Sequence, residues 1–269
     1  MLQVVACLIE CYADFTHLSP GRSMSVRTAK ELENLKIIGK IVRRSLDEMT
    51  AAVRPGISTS ELDEIGLRVL KENGAEAAPP KVYGFPGAVC ISVNDEAIHG
   101  VPGDRILHDG DLVKLDLVAM KDGFFADAAV TVRVGKVSNT ADALVRCAEA
   151  AFWKAMNVAR VGFRTCHIGR EVEREVRRQG FSVMPELGGH GVGRTIHEPP
   201  DVPNFYDRSA RTKLFNGLVI AVEPIITAGM GRGVLLPDRW TIRTADRSLS
   251  AHYEHTIVIT EGEPLLLTA

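Results

Sequence analysis

Leu115-Asp116-Leu117-Val118-Ala119-Met120-Lys121-Asp122-Gly123-Phe124-Phe125-Ala126-Asp127 sets two aspartates inside apolar runs on either side of a Lys-Asp-Gly turn. Such a pattern reads as a β-hairpin. With Lys121-Asp122 as the two-residue turn, Asp116 stands directly opposite Asp127, their Cβ atoms roughly 5 Å apart. With Asp122-Gly123 as the turn, the two become diagonal neighbours on one face. In both registers two like charges share a face of an apolar hairpin, which is destabilising unless something positive lies between them. Lys114 is read as preceding one strand and Arg133 as following the other, so neither strand offers a cation. A divalent metal ion is the natural counter-charge. The competing reading is a pair of solvated carboxylates on an edge hairpin.

Working outward, the 269-residue chain is 45% hydrophobic and 25% charged, as expected of a soluble globular protein with a sizeable core. Its 32 basic against 34 acidic residues leave a net charge of −2, so nothing points to nucleic acid or an anionic membrane surface. No apolar stretch reaches the roughly 18 residues a membrane span needs. Five scattered cysteines (Cys7, Cys11, Cys90, Cys147, Cys166) suggest reduced thiols in a cytoplasm rather than a disulfide framework. The apolar run Leu2 to Ile9 has no Lys or Arg before it and is followed by Glu10 and Asp14, unlike a secretory signal. Residues 1–23 are therefore expected to be an extension outside the fold, and 24–269 a single domain.

That domain reads as two similar halves, about 24–136 and 137–269. Leu32, Leu35, Ile38, Val42, Leu46, Met49 and Val53 recur at helical spacing over 29–53, and Pro55-Gly56 ends the run. Ser58 and Glu61 offer a capping box for a second helix ending near Gly74. Helices are likewise expected over 141–160 and from about Thr165 to Gly180. A shift of 106 positions aligns Arg54 with Arg160, Gly56 with Gly162, Thr59 with Thr165, Arg68 with Arg174 and Gly74 with Gly180. Each helix pair precedes a strand-like segment, Val89–Val93 and Ser182–Met184. The expectation is an α+β domain with pseudo-twofold symmetry and a site where the halves meet.

Three more residues are chemically out of place. His190 sits among four glycines in Gly188-Gly189-His190-Gly191-Val192-Gly193, a frame that permits close backbone approach. As a phosphate loop the segment fails, because the glycine spacing breaks at Arg194 and no Walker lysine follows. Glu223 lies in the apolar run Val219–Ile226, and Glu254 begins the strand-like Glu254–Ile259. Burying an unpaired carboxylate costs several kcal/mol, so each needs a metal or an arginine partner such as Arg194 or Arg243. With Asp116 and Asp127 they make four carboxylates and one imidazole. Two divalent ions roughly 3.5–4 Å apart would suit that set, and its hardness favours Mn(II), Fe(II), Co(II) or a catalytic Zn(II) pair over structural zinc.

At these residues the chain resembles the type I methionine aminopeptidases, metallopeptidases of the pita-bread fold. The matching stretches are Tyr83-Gly84-Phe85-Pro86, Val89 to Asn94, His99-Gly100-Val101-Pro102, Lys114-Leu115-Asp116, Asp122-Gly123-Phe124, Gly189 to Arg194, His197-Glu198, Glu223-Pro224 and Ser248 to Thr256. They cover about residues 24–262, in the family's order and spacing. The resemblance implies removal of N-terminal methionine from nascent proteins when the second residue is small, by a monomeric cytoplasmic enzyme working near the ribosome. It implies that Asp116 chelates one metal, that His190 and Glu223 hold mainly the other, and that Asp127 and Glu254 bridge both. Glu223 would be general base then acid; His99 would lie near the substrate amine and leaving nitrogen, and His197 against the scissile peptide. Phe85, Cys90 and Trp240 would help wall the methionine pocket. Some relatives also carry a monovalent cation near the positions of Asn94 and Ser250. The chain departs from the family at Val82, Ile196 and Phe125-Ala126, which bears on pocket shape. Two competitors remain: an X-Pro aminopeptidase or prolidase of the same fold, and a catalytically silent, ribosome-associated binding protein.

Overall fold

The computed structural model describes residues 25–269; the extension expected over 1–23 lies outside the described residues. The first helix pair is α1 (Ala29–Ala52) and α2 (Thr59–Glu72), followed by β1 (Glu76–Ala77), the short α3 (Ala78–Tyr83), β2 (Cys90–Val93) and β3 (Glu96–Ile98). The hairpin is β4 (Leu112–Lys121) with β5 (Phe124–Arg133). The second helix pair, α4 (Asn139–Met156) and α5 (Thr165–Arg178), leads into β6 (Ser182–Val183), β7 (Gly188–Gly191) and β8 (Glu198–Pro203). The remaining strands are β9 (Val219–Val222), β10 (Ile225–Thr227), β11 (Gly233–Leu235), β12 (Ile242–Thr244), β13 (Ser250–His252), β14 (Glu254–Val258) and β15 (Leu265–Leu266). One large sheet runs β1-β4-β5-β14-β9-β7-β8, with β2 added on β4 and β15 on β14, and two small sheets run β13-β10-β6 and β11-β12-β3.

The helix pairs are built alike. Ser58 Oγ accepts from Glu61 N–H while Glu61 Oε2 accepts from Ser58 N–H, the capping box read from the sequence. Gly56 and Gly162 both take φ near +90° (90° and 92°), a conformation a side chain would strain. Thr59 Oγ1 donates to the Gly103 carbonyl at 3.0 Å, and Thr165 Oγ1 donates to that of Ala210 at 3.1 Å. Leu35, Ile38, Val42, Leu46 and Met49 of α1 are buried with Leu115, Leu117 and Ala128 of the hairpin, forming one core. Phe152 of α4 and Val172 and Val176 of α5 pack with Ile220, Val222 and Ile257, forming the other. Each fully buried side chain of this size contributes roughly 1.5–3 kcal/mol.

The hairpin takes the second of the two registers. Lys121 pairs with Phe124, leaving Asp122-Gly123 as the turn, so Asp116 faces Ala129 and Asp127 faces Val118. Asp122 and Gly123 have φ of 51° and 77°, as a two-residue hairpin turn requires. A Lys121-Asp122 turn would force Lys121 into the left-handed region that long side chains avoid. The directly opposed arrangement is thereby corrected to a diagonal one. The strands are also longer than expected, so Lys114 and Arg133 lie within them. The run Val219–Ile226 divides in two at Glu223-Pro224, because proline cannot donate to a ladder. The carboxylate thus sits at a break between sheets rather than in a continuous strand.

Candidate metal centre

The large sheet brings the five expected donors together. β4 and β5 carry Asp116 and Asp127 as diagonal neighbours, each close enough to act electrostatically on the other. β14 lies beside β5 and starts at Glu254, which pairs with Ala129. β9 follows β14 in the sheet and ends one residue before Glu223, and β7 beyond it carries His190. A Cβ at Gly189 would run into the Ala221 carbonyl, and one at Gly191 into those of Glu198 and Pro199. The glycines around His190 therefore serve close strand approach, and in this segment only Gly193 takes a positive φ, 134°. His190 Nδ1–H donates to the Gly191 carbonyl at 2.9 Å. That fixes the tautomer and points the Nε2 lone pair at Glu223 Oε1 (3.5 Å) and Asp127 Oδ2 (3.8 Å).

Asp127, His190, Glu223 and Glu254 are buried, and Asp116 is half-buried. Burial, reinforced by the neighbouring carboxylates, holds Asp127, Glu223 and Glu254 well above the usual carboxylate range. Burial also raises Asp116, with His252 acting in the opposite sense. His190 is pushed down to about 4 by burial, so its ring is neutral. Asp127 Oδ1 and Glu254 Oε1 have no hydrogen-bond partner among the described residues. Carboxyls so gathered must share protons or share cations, and neutral imidazole among orphaned oxygens fits divalent metal. Two compact donor groups emerge, Asp127 with His190 and Glu254, and Glu223 with His252 and Glu254. The arginine alternative finds no support at Arg194, which pairs with Glu31 and covers the Phe124 ring.

The His197 ring centroid is 4.1 Å from that of His190, and burial holds its pKa well below the ordinary value. Its Nδ1 lies 2.5 Å from the Tyr83 hydroxyl, which leaves Nε2 as the other nitrogen of the ring. His99 follows β3 with a left-handed φ of 55°, and burial lowers its pKa to about 4. Phe85 and Trp240 pack edge to face at 5.3 Å. Cys90 stands opposite Asp116 on β2, and burial with the nearby carboxylates pushes its thiol well up. Lys114 is fully buried, and its Nζ donates to the carbonyls of Asn94 (2.7 Å) and Ser250 (3.4 Å). Those are the two residues near which the resemblance implies a monovalent cation.

Three neighbours escaped the sequence reading. Tyr83 was visible only as part of a motif. Asp63 accepts from the N–H groups of Ala88 and Val89, both at 2.8 Å, and so pins the loop after Phe85; nothing local in α2 marks it. His252 precedes Glu254 by two residues, and strand alternation places such residues on one face. That signal was present in the sequence.

The family model for metallopeptidase family M24 matches residues 33–261. Methionine aminopeptidase 2 of Bacillus subtilis is 46% identical over 247 residues, covering 91% of this chain and 99% of the relative. Among solved structures, methionine aminopeptidase from Rickettsia prowazekii superposes with a TM-score of 0.88 at 31% identity, covering 91% of this chain and all of that one. The Thermotoga maritima methionine aminopeptidase gives 0.88 at 34%, covering 91% and 99%. Sheet order, buried donors and relatives agree: the chain belongs to metallopeptidase family M24, among its methionine aminopeptidases.

Proposed function

We propose that this chain is a methionyl aminopeptidase that releases N-terminal methionine from nascent polypeptides whose second residue is small. The observation that carries the reading is the gathered set of four carboxyls, three of them buried, and one buried imidazole, with orphaned acceptors. Asp116, Asp127, His190, Glu223 and Glu254 would hold two divalent ions (Co, Mn, Fe or Zn), with Asp127 and Glu254 shared between them. Bound ions of this kind supply an acidified water and Lewis-acid pull on the scissile carbonyl. Glu223, at the break between β9 and β10, would take the proton of the attacking water and pass it to the leaving nitrogen. His197, which meets Tyr83 at Nδ1, would stabilise the developing oxyanion by a hydrogen bond. His99 lies toward the substrate amine. Phe85, Cys90 and Trp240 form a soft, aromatic wall that suits an unbranched thioether.

The reading treats 24–269 as one catalytic domain whose halves meet between β5 and α4, acting as a monomer in the cytoplasm on chains emerging from the ribosome. Among the described residues no helix is long and apolar enough to cross a membrane. A monovalent cation near Asn94 and Ser250 would have to share their carbonyls with Lys114. The test is a set of otherwise identical peptides beginning Met-Ala, Met-Leu, Leu-Ala and Ala-Pro, with and without chelator. Met-Ala should be cleaved, the others poorly, and chelation should stop turnover. Cleavage of Ala-Pro with Met-Ala refused would make the chain a prolyl-type peptidase instead.

A further inference from the structure

β13 and β14 meet at Tyr253, and the alternation of side chains across that junction is regular. Tyr253 and His255 turn one way, their rings 5.4 Å and 5.1 Å from that of Phe152 in the core beneath α4. His252 and Glu254 turn the other way, toward the metal centre. The His252 backbone is pinned by Thr131, whose hydroxyl accepts from its N–H and donates to its carbonyl, both at 2.8 Å. Its ring is buried, with the residue 1% exposed. Neither ring nitrogen has a hydrogen-bond partner among the described residues. Leaving a buried polar side chain wholly unsatisfied is costly and rare in native proteins. Nε2 lies 3.2 Å from Glu254 Oε2 and 3.7 Å from Glu223 Oε2.

An imidazole nitrogen can serve as a metal donor, and one donor atom each from Glu223, His252 and Glu254 lie within 4.8 Å of one another. Asp127, His190 and Glu254 form a group of the same size. We propose that His252 Nε2 is a sixth donor of the metal centre, serving the position bounded by Glu223 and Glu254. Each of the two groups then holds one imidazole. A further nitrogen donor would strengthen the preference of the centre for Co(II), Fe(II) and Zn(II) over Mn(II) and Mg(II). The proposal rests on the metal-centre reading above.

The test is metal binding, without reference to turnover. Chelator-stripped wild type and His252→Gln are titrated calorimetrically with Co(II) and with Mn(II). Loss of a nitrogen donor should weaken one Co(II) step at least ~10-fold and the Mn(II) steps less, lowering the Co/Mn preference. Circular dichroism and the thermal midpoint of the stripped proteins check that the variant folds. Independently of any variant, Co(II)-loaded wild type with 15N-labelled histidine should show contact-shifted resonances from two directly bonded imidazoles. Equal Co(II) affinities in a folded variant, or one contact-shifted imidazole in wild type, would overturn the proposal while leaving the metal centre intact. Wild type that binds no ion would overturn both.

Discussion

The two halves reach the metal centre by different routes. The first supplies Asp116 and Asp127 from one hairpin, fixed relative to each other by a two-residue turn and a ladder of paired residues. The second supplies His190, Glu223 and Glu254 from three elements separated by more than thirty residues at each step in the sequence, made neighbours by the sheet order β14-β9-β7. Both halves share the same helix-pair grammar, down to equivalent glycines and threonines. A repeated scaffold thus carries a local pair on one side and a tertiary assembly on the other. Register places the first pair, whereas the cores under α4 and α5 place the second set. The difference predicts which changes are repaired by added metal and which are not.

The largest effect should come from removing what both halves hold. Exhaustive chelation should abolish turnover, and Co(II), Mn(II) or Fe(II) should restore it; full activity in protein shown free of metal by elemental analysis would break the comparison at its root. Next is Glu223→Gln, which keeps shape but removes the proton carrier. General acid–base groups contribute typically ~10²–10⁴-fold, so kcat should fall by that order and excess metal should not rescue it. Asp116→Asn, on the hairpin side, should instead recover part of its activity as metal is raised. Equal rescue of both variants would mean Glu223 is a ligand and nothing more.

How much of this was legible in sequence follows the same division. The hairpin donors needed only an Asp-Gly turn between apolar runs, although the register stayed open until the left-handed φ of Asp122 decided it. The capping box at Ser58 was equally local. His190, Glu223 and Glu254 stood out because their neighbours are glycine or apolar, but their mutual contact came from the family resemblance, since strand order is not written in any short segment. His252 was overlooked even though it sits two residues from Glu254. Tyr83 and Asp63 act across more than a hundred residues and about twenty-five residues respectively, and no local pattern marks such partners. Lys114 reads in sequence as preceding the strand, yet it lies within it and is buried, with the carbonyls of Asn94 and Ser250 accepting from it instead of a carboxylate.

A smaller effect separates the substrate-facing histidine from the residue that orients it. His197→Ala should lower kcat by roughly 10²–10³, as loss of one oxyanion donor does, with a lesser change in KM. Tyr83→Phe should cost nearer ~10-fold, the low end for a partner that orients an active group. A Tyr83→Phe loss as large as that of His197→Ala would move the tyrosine into direct contact with substrate. Stability should respond to pH in a way that depends on loading. In the metal-free protein the raised carboxyls bind more protons folded than unfolded, so their contribution is lost as pH rises. The buried histidines oppose this only below about pH 6.5, the unfolded value above which they are neutral in both states. Between pH 6.5 and 8 the metal-free midpoint should therefore fall, while the loaded protein holds or gains because its ligands must be deprotonated. Parallel curves for the two forms in calorimetry would contradict the carboxyl cluster as the metal site.

The smallest effect tests the scaffold itself. α2 starts with a complete reciprocal cap, Ser58 with Glu61, whereas at the equivalent place α5 starts at Arg164, which has no side-chain oxygen to offer. There His167 Nδ1 accepts from the Arg164 N–H at 3.1 Å, and the N–H groups of Thr165 and Cys166 donate to the carbonyls of Thr212 and Ala210. Ser58→Ala should therefore cost about 1 kcal/mol, or roughly 2–4 °C in midpoint for a chain of this size, with turnover unchanged because no donor lies in α2. Arg164→Ala removes no cap acceptor, only a guanidinium contact to the Arg211 carbonyl on the surface, and should cost less. Midpoints of the two variants, measured metal-loaded at one pH, compare the halves directly. If Arg164→Ala proves as damaging as Ser58→Ala, the second helix pair depends on that surface contact as much as the first depends on its cap, and the asymmetry between the halves is confined to the donors they carry.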